Sequence, residues 1–118
     1  ASGLGWGPGA ALGAKIAAPD RTVVSVTGDG AFMFSNPAAV HHAAAMHGLP
    51  VLFVVMNNSR WNAVRSSTLA MYPQGLTSKS NTAPFMHLSK LPALERICEA
   101  AVGSGERGEE AVEMAPAF

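Results

Sequence analysis

The chain has 118 residues, a length that suits one domain or part of one. Hydrophobic residues make up 48% of it and charged residues 14%, so it can bury a sizeable core, and its low charge predicts that other domains or subunits cover some of its faces. Its formal net charge is zero. It contains no basic cluster dense enough for a nucleic-acid surface.

The charges are unevenly distributed along the chain. Six Lys and Arg residues accompany two Asp residues before Glu95, whereas two Arg residues accompany six Glu residues from Glu95 onward. The first part is therefore mildly cationic, which favours an anionic ligand. The single cysteine, Cys98, excludes an intrachain disulfide and favours a reducing compartment, so we expect a cytoplasmic protein. No apolar run is long enough to cross a bilayer.

The first predicted element is a helix with Pro8 in its first turn. Gly9, Ala10 and Gly13 share one face of this helix, which predicts close packing against a neighbour. Next, "RTVVSVT", residues 21–27, is a continuous apolar run typical of a strand that is buried on both faces of a parallel sheet.

A second helix is predicted to begin at Asn36-Pro37 and to end at Gly48. The apolar run "VLFVVM", residues 51–56, then predicts a second buried strand. Strand, helix and strand within about 35 residues form a βαβ unit with a right-handed crossover. The predicted fold class is α/β, with an open, mostly parallel sheet that carries helices on both faces and is incomplete.

The remaining elements are predicted from shorter patterns. We expect a helix over 61–71, a polar loop over 72–84 and an amphipathic helix over 92–103 that contains Cys98 as a core thiol. The end of the chain, "GSGERGEEAVEMAPAF", is less regular and predicts at most a short acidic helix. Because the chain opens without Met, we expect a piece of a longer polypeptide.

Polar loops follow both predicted strands. The first loop is Gly28-Asp29-Gly30-Ala31 and the second is Asn57-Asn58-Ser59-Arg60. Because the carboxyl ends of neighbouring parallel strands open onto one crevice, we expect the two loops to lie together. One carboxylate, two carboxamides and free carbonyls are hard oxygen ligands, which suit Mg²⁺ or Ca²⁺ and not Zn²⁺ or copper.

Mg²⁺ with few protein ligands leaves its other positions to water and phosphate oxygens. Gly30 and Ala31 lack bulk and are predicted to precede a helix, whose amide end attracts anions. The residues therefore predict a metal-bridged diphosphate site. Either motif alone is ordinary turn chemistry, and the combination with 26 residues between the motifs carries the prediction.

"GDG" followed after 26 residues by "NN" resembles the thiamin-diphosphate binding motif of thiamin-dependent enzymes. "GLGWGPGAALGAKIAAPDRTVVSVTGDGAFMF" and "LPVLFVVMNNSRWNAVR" are similar to the C-terminal cofactor domain of the acetolactate synthase, benzoylformate decarboxylase and pyruvate decarboxylase group. The resemblance implies thiamin diphosphate and Mg²⁺ as cofactors. It also implies a cofactor-binding domain over residues 1–107 and a poorly matched tail over 108–118.

The resemblance assigns the metal ligands to the carboxylate of Asp29, the side chain of Asn58 and the main-chain carbonyl of Arg60. It also implies a set of residues that contact the cofactor or the substrate beside it. These are the diphosphate contacts Gly28, Gly30 and Ala31, the apolar wedge Leu4, the main chain at Ser2 or Gly3, and the thiazolium-side residues Trp61, Asn62, Ala63 and Val64.

The resemblance implies a lyase or transferase acting on 2-oxo acids, acetolactate-synthase-like, with a decarboxylase as the close second. The family's catalytic glutamate comes from the pyrimidine-binding domain, usually of a neighbouring subunit, and no Glu here precedes position 95. We therefore expect no catalytic residue within this chain, a homodimer or homotetramer, and no activity from the chain alone. The alternatives are a non-catalytic binding or subunit-interaction module and, from "GLGWGPG", a nicotinamide-dinucleotide-binding domain.

Other conspicuous side chains have plainer interpretations. Three histidines lie along the second predicted helix, where no pair has the i,i+4 spacing of a zinc site, so we expect partly exposed side chains. His87 is expected to lie in a loop without a partner. Packing roles are predicted for two aromatic residues and solvated roles for two basic ones: Trp6 and Trp61, then Arg65 and Lys79.

Overall fold

The structure, a computed structural model, describes residues 3–80, 85–101 and 103–108. Within these ranges its elements are α1 (Trp6–Ala17), β1 (Val24–Gly28), α2 (Asp29–Phe34), α3 (Pro37–Met46), β2 (Leu52–Met56), α4 (Asn62–Met71), α5 (Leu76–Lys79) and α6 (Leu94–Ala100). None of these helices is long and apolar enough to cross a membrane. Ser2, part of the predicted 72–84 loop and most of the predicted 108–118 tail lie outside the described residues.

The two strands form a parallel sheet. Val24 pairs with Leu52 at one end of the ladder and Gly28 pairs with Met56 at the other. The chain crosses from β1 to β2 through α2 and α3, which confirms the predicted βαβ unit and the α/β class with an open parallel sheet.

Helices α1 and α3 cover the same face of this sheet. A Cβ built on Gly7 of α1 would lie 3.8 Å from the hydroxyl of the buried Ser25, and the ring of His41 in α3 contacts Phe53. Helix α6 packs on α3, and α2 contacts α1, α3 and both strands. The core therefore lies between α1, α2, α3 and this face, with Phe32 at 2% exposure.

The opposite face of the sheet is exposed. Val24 and Val26 of β1 are 49% and 68% exposed, and Leu52 and Met56 of β2 are 48% and 61% exposed. The expectation that both strands are buried on both faces is wrong for the described residues. An apolar run indicates that both faces of a strand are suited to burial. It does not indicate which other element covers each face.

Helix α1 begins two residues before Pro8, and its small-residue face is open. A Cβ built on Gly9 or Gly13 has no atom of the described chain within 4 Å, so the predicted close packing is not found there. Trp6 is 74% exposed, which makes its predicted packing role wrong within the described chain. At the other side of the helix, buried Lys15 donates to the carbonyls of Pro19 at 2.8 Å and Arg21 at 2.7 Å and closes the turn into β1.

The histidines of α3 do not all behave as expected. His41 is 7% exposed and makes edge-to-face contacts with Phe32 and Phe53, with ring centroids 5.9 Å and 4.9 Å apart. The expectation of partial exposure is therefore wrong for His41, because α3 turns this position toward the aromatic core. His42 and His47 are exposed, as expected.

The later elements differ from their predictions mainly in length. The helix predicted over 61–71 is confirmed, the predicted loop contains the short helix α5, and α6 is shorter than predicted. Cys98 in α6 is half-buried, and its thiol donates to the carbonyl of Ser104 at 3.3 Å. Burial and the neighbouring Glu99 raise the pKa of the Cys98 thiol, which favours its protonated form.

We expect Gly5→Ala to destabilise the chain by about 1–3 kcal/mol. Gly5 has a φ of 81°, and a Cβ there would lie 2.9 Å from backbone atoms of Phe34 and Ser35. The measurement is urea unfolding followed by circular dichroism. The control is Gly13→Ala, which fills open space in a helix and should leave stability equal or higher. Equal midpoints for the two variants would contradict this prediction.

We expect the free energy of unfolding to fall as the pH drops below about 6.5, because burial lowers the pKa of His41 from its ordinary value of 6.5. The unfolded chain then binds a proton at this position that the folded chain does not bind, until the pH passes the lowered pKa. Urea midpoints measured from about pH 7.5 to about pH 5 test this. His41→Phe should flatten the profile and the exposed control His42→Phe should not. An unchanged slope in His41→Phe would show that His41 is not the cause.

Candidate functional site

The two polar loops leave the same edge of the sheet. The last pair of the ladder joins Gly28 to Met56, so Asp29 and Asn57 are the next residues of their strands at the same level. Helix α2, which begins at Asp29, contacts both strands. The two strands are therefore parallel neighbours and their loops leave one edge of the sheet, as the predicted cation site requires.

Asp29 provides the most unusual group of this edge. The residue is 2% exposed, and its Oδ1 accepts a hydrogen bond from the backbone N–H of Gly30 at 2.9 Å. Its Oδ2 is buried and has no hydrogen-bond partner in the described chain. A buried carboxylate oxygen without a partner costs several kcal/mol unless a cation satisfies it, on the order of the penalty for burying any unpaired charge. This oxygen therefore fits a metal ion.

Helix α2 begins at Asp29, ahead of the two residues predicted to precede a helix. Gly30 and Ala31 lie inside its first turn and do not precede it. The helix has only six residues, and the N–H of Gly30 already donates to Asp29. The N-terminus of this helix thus has fewer free N–H groups for an anion than expected. The carboxylate of Asp29 is the group of this loop that is better suited to bind a ligand.

The two asparagines of the second loop are not equivalent. The Oδ1 of Asn57 accepts two hydrogen bonds, from the N–H of Ser59 at 2.9 Å and from its hydroxyl at 3.2 Å. The Oδ1 of Asn58 accepts one, from the N–H of Arg60 at 3.0 Å. An amide oxygen has two lone pairs, so Asn58 keeps one for a ligand and Asn57 does not.

The backbone carbonyls of this loop can be sorted in the same way. The carbonyl of Ser59 accepts from the N–H of Leu88 at 2.8 Å, and that of Trp61 accepts from the N–H of Arg65 at 3.0 Å. No donor in the described chain reaches the carbonyl of Arg60. Asp29 Oδ2, Asn58 Oδ1 and the Arg60 carbonyl, the three oxygens that the resemblance implies, are therefore among those with free capacity in the described chain.

A short segment that the sequence did not reveal supports the second loop. His87 pairs with Arg60 in an antiparallel bridge, and the N–H of Trp61 donates to the carbonyl of Met86 at 2.9 Å. The expectation that His87 has no partner is wrong. Three residues are too short for a period-2 pattern, so no signal in the sequence could have found this pairing.

The predicted apolar wedge lies on the other side of α2. Leu4 is 42% exposed in the turn before α1, and the next residue, Gly5, packs against the backbone of Phe34 and Ser35 at the end of α2. Helix α2 begins with Asp29, and its six residues span about 9 Å. Asp29 therefore lies at one end of this short helix, and the turn that carries Leu4 packs on its other end. Gly3 is exposed in the same turn.

Trp61 and the start of α4 border the same edge. The ring of Trp61 lies against Gly30, and the residue is half-buried, which confirms its predicted packing role. Asn62, Ala63 and Val64 form the first turn of α4 and are exposed. Their contact with a cofactor or substrate stays a prediction.

Comparison with known proteins agrees with this geometry. A family model described as "Thiamine pyrophosphate enzyme, C-terminal TPP binding domain" matches residues 1–118. The chain belongs to this family. The match confirms the resemblance found in the sequence and identifies thiamin diphosphate as the family's ligand.

Individual relatives show the same kinship. The chain is 32% identical over 115 residues to the probable acetolactate synthase of Mycobacterium bovis, which covers 98% of this chain and 19% of that protein. It is 34% identical over 103 residues to 2-hydroxyacyl-CoA lyase 1 of Dictyostelium discoideum, which covers 86% of this chain and 17% of that protein. The chain thus spans about a fifth of the length of these curated relatives.

A solved structure supports the fold as well. The thiamine diphosphate-dependent 4-hydroxybenzoylformate decarboxylase of Rhodococcus jostii RHA1 superposes with a TM-score of 0.67 and 26% sequence identity. The superposition covers 83% of this chain and 17% of that one.

The unequal asparagines lead to a testable difference. We expect Asn58→Ala to weaken Mg²⁺-dependent binding of thiamin diphosphate at least about 100-fold, because it removes an oxygen with a free lone pair. Asn57→Ala removes only bonds within the turn and should cost about tenfold or less. Isothermal titration calorimetry measures both affinities. Equal losses would contradict the assignment of Asn58 as the ligand.

Proposed function

We propose that the chain binds thiamin diphosphate through Mg²⁺ and forms the diphosphate half-site of an acetolactate-synthase-like lyase or transferase acting on a 2-oxo acid. The observation that carries this proposal is the buried Oδ2 of Asp29, which has no partner in the described chain. Membership of the family supports thiamin diphosphate as the organic ligand. The unpartnered oxygen of Asp29 supports a metal ion beside it.

In this proposal three oxygens that have free capacity hold the cation. They are the carboxylate of Asp29, the amide oxygen of Asn58 and the main-chain carbonyl of Arg60. All are hard ligands, and three protein ligands leave the remaining positions of Mg²⁺ to water and phosphate oxygens. The metal thus links the protein to a diphosphate with little need for basic side chains.

The neighbouring residues orient the rest of the cofactor. Gly28 leaves open space at the sheet edge, since a Cβ there has no atom of the described chain within 4 Å. Leu4 offers an exposed apolar surface for a heterocyclic ring, and Trp61 packs its ring against Gly30. Bound thiamin diphosphate supplies the electron sink for cleaving a bond next to the carbonyl of a 2-oxo acid, and the protein supplies binding and orientation.

The proposed reaction needs groups from another polypeptide segment. No Glu precedes position 95, so the glutamate that the family uses on the pyrimidine ring must come from a pyrimidine-binding domain, which we assign to a neighbouring subunit of a homodimer or homotetramer. The exposed apolar faces of α1 and of the sheet support such an assembly. The same faces would suit the second candidate function, a non-catalytic subunit-interaction module.

The decisive variant is Asp29→Ala. The wild-type chain should bind thiamin diphosphate only when Mg²⁺ is present, and Asp29→Ala should reduce this affinity at least about 100-fold, because the orphaned oxygen is removed. Titration calorimetry with and without EDTA measures the effect.

The matched control is Asp20→Ala, which removes an exposed carboxylate from the turn before β1 and should bind like the wild type. Binding that ignores EDTA and the Asp29 change would refute the proposal. NADH binding that is indifferent to EDTA would favour the nicotinamide alternative instead.

A further inference from the structure

We propose that Trp61 is a positioning residue that fixes the metal loop, residues 57–61, against helix α2, and that position 30 is glycine because the ring of Trp61 occupies the space of a side chain there. The inference rests on the proposed function for its effect on metal binding. Its steric part stands on the geometry of the chain alone.

The contact between Gly30 and Trp61 is tighter than a side chain would allow. A Cβ built on Gly30 would lie 2.6 Å from both Cε3 and Cζ3 of Trp61 and 3.4 Å from its Cδ2. Carbon atoms in contact prefer about 3.5–4.0 Å, so an alanine here would have to displace the ring. Gly30 is itself buried, so the half-buried ring of Trp61 would have to move to admit a methyl group.

The backbone of Gly30 does not explain why this residue is glycine. Gly30 lies inside α2, and the glycines with positive φ in the described chain are Gly5 and Gly48. Alanine is the best helix former, so on backbone grounds it would be favoured at this position. The space taken by the indole is a reason that does not depend on the diphosphate contact implied for Gly30 by the family resemblance.

The two glycines of the GDG motif therefore serve different purposes. At Gly28 a Cβ would meet no atom of the described chain within 4 Å, so that position is open to an approaching ligand. At Gly30 the space is already filled by the protein's own ring. In this inference, the missing side chain at Gly28 leaves space for the cofactor, and the missing side chain at Gly30 leaves space for the ring of Trp61.

The backbone of Trp61 transmits this contact to the metal ligands. Its N–H donates to the carbonyl of Met86 and its carbonyl accepts from Arg65, so the residue is anchored on both sides. Arg60, whose carbonyl has free capacity, is the preceding residue, and Asp29 precedes Gly30. The size of the side chain at position 61 therefore sets the separation between two groups that Mg²⁺ must bridge with near-ideal geometry.

A double-mutant cycle tests the inference. The four proteins are the wild-type chain, Gly30→Ala, Trp61→Leu and the double variant, each titrated with Mg²⁺ at saturating thiamin diphosphate. Each single substitution should weaken Mg²⁺ affinity about tenfold or more. The double variant should bind no more weakly than Trp61→Leu alone, because the new methyl group enters space that the ring has left. Independent, multiplied losses would overturn the inference.

Unfolding temperatures without cofactor give a second readout. Gly30→Ala should lower the unfolding temperature when it is made in the wild-type chain and not when it is made in the Trp61→Leu variant. The control Gly13→Ala, in open space, should lower it in neither. A chain that does not bind Mg²⁺ and thiamin diphosphate refutes the proposed function, and this thermal cycle still decides whether the contact exists.

A purely structural role for Trp61 predicts a different result. Trp61→Leu would then lower the unfolding temperature and leave Mg²⁺ affinity unchanged at a temperature where circular dichroism shows every variant folded. That outcome would overturn the positioning role.

Discussion

The site depends on the parallel, in-register pairing of two short strands. With Gly28 opposite Met56, the chain leaves both strands at one level, and the carboxylate loop and the amide loop follow at once. A shift by one residue would turn Asp29 to the other face of the sheet and separate the candidate ligand oxygens. The register is fixed by the face that α1 and α3 cover, since Ser25 and Phe53 are both turned toward the helices.

A second constraint acts on charge. Asp29 is deeply buried and its second oxygen has no donor in the described chain, and a buried unpaired carboxylate lowers stability unless a cation pairs with it. The oxygens around Asp29 differ in their hydrogen bonds. The side-chain oxygen of Asn57 and the carbonyls of Ser59 and Trp61 accept from protein donors, whereas the candidate ligand oxygens accept from fewer donors or from none. Most of the internal bonds of the loop thus leave the candidate ligand oxygens with free capacity, and Asn58 Oδ1 accepts one bond and keeps one lone pair.

Much of this arrangement could be predicted from the sequence. Apolar runs that stop abruptly at GDG and at NN mark strand ends, and strand ends are where a parallel sheet binds ligands, so the position of the site followed from local patterns. Properties that depend on packing at a distance could not be predicted in this way. The burial of His41 depends on Phe32 and Phe53, the support of Arg60 depends on a segment 27 residues away, and the exposed sheet face depends on what lies over it.

The turn at Gly5 has a mechanical consequence for the site. Its backbone rests on the last residues of α2, while the first residue of the same helix is Asp29. Helix α2, which has less than two turns, therefore sets the distance between the Leu4 side chain and the Asp29 carboxylate. A molecule that touches both groups must therefore match that fixed length.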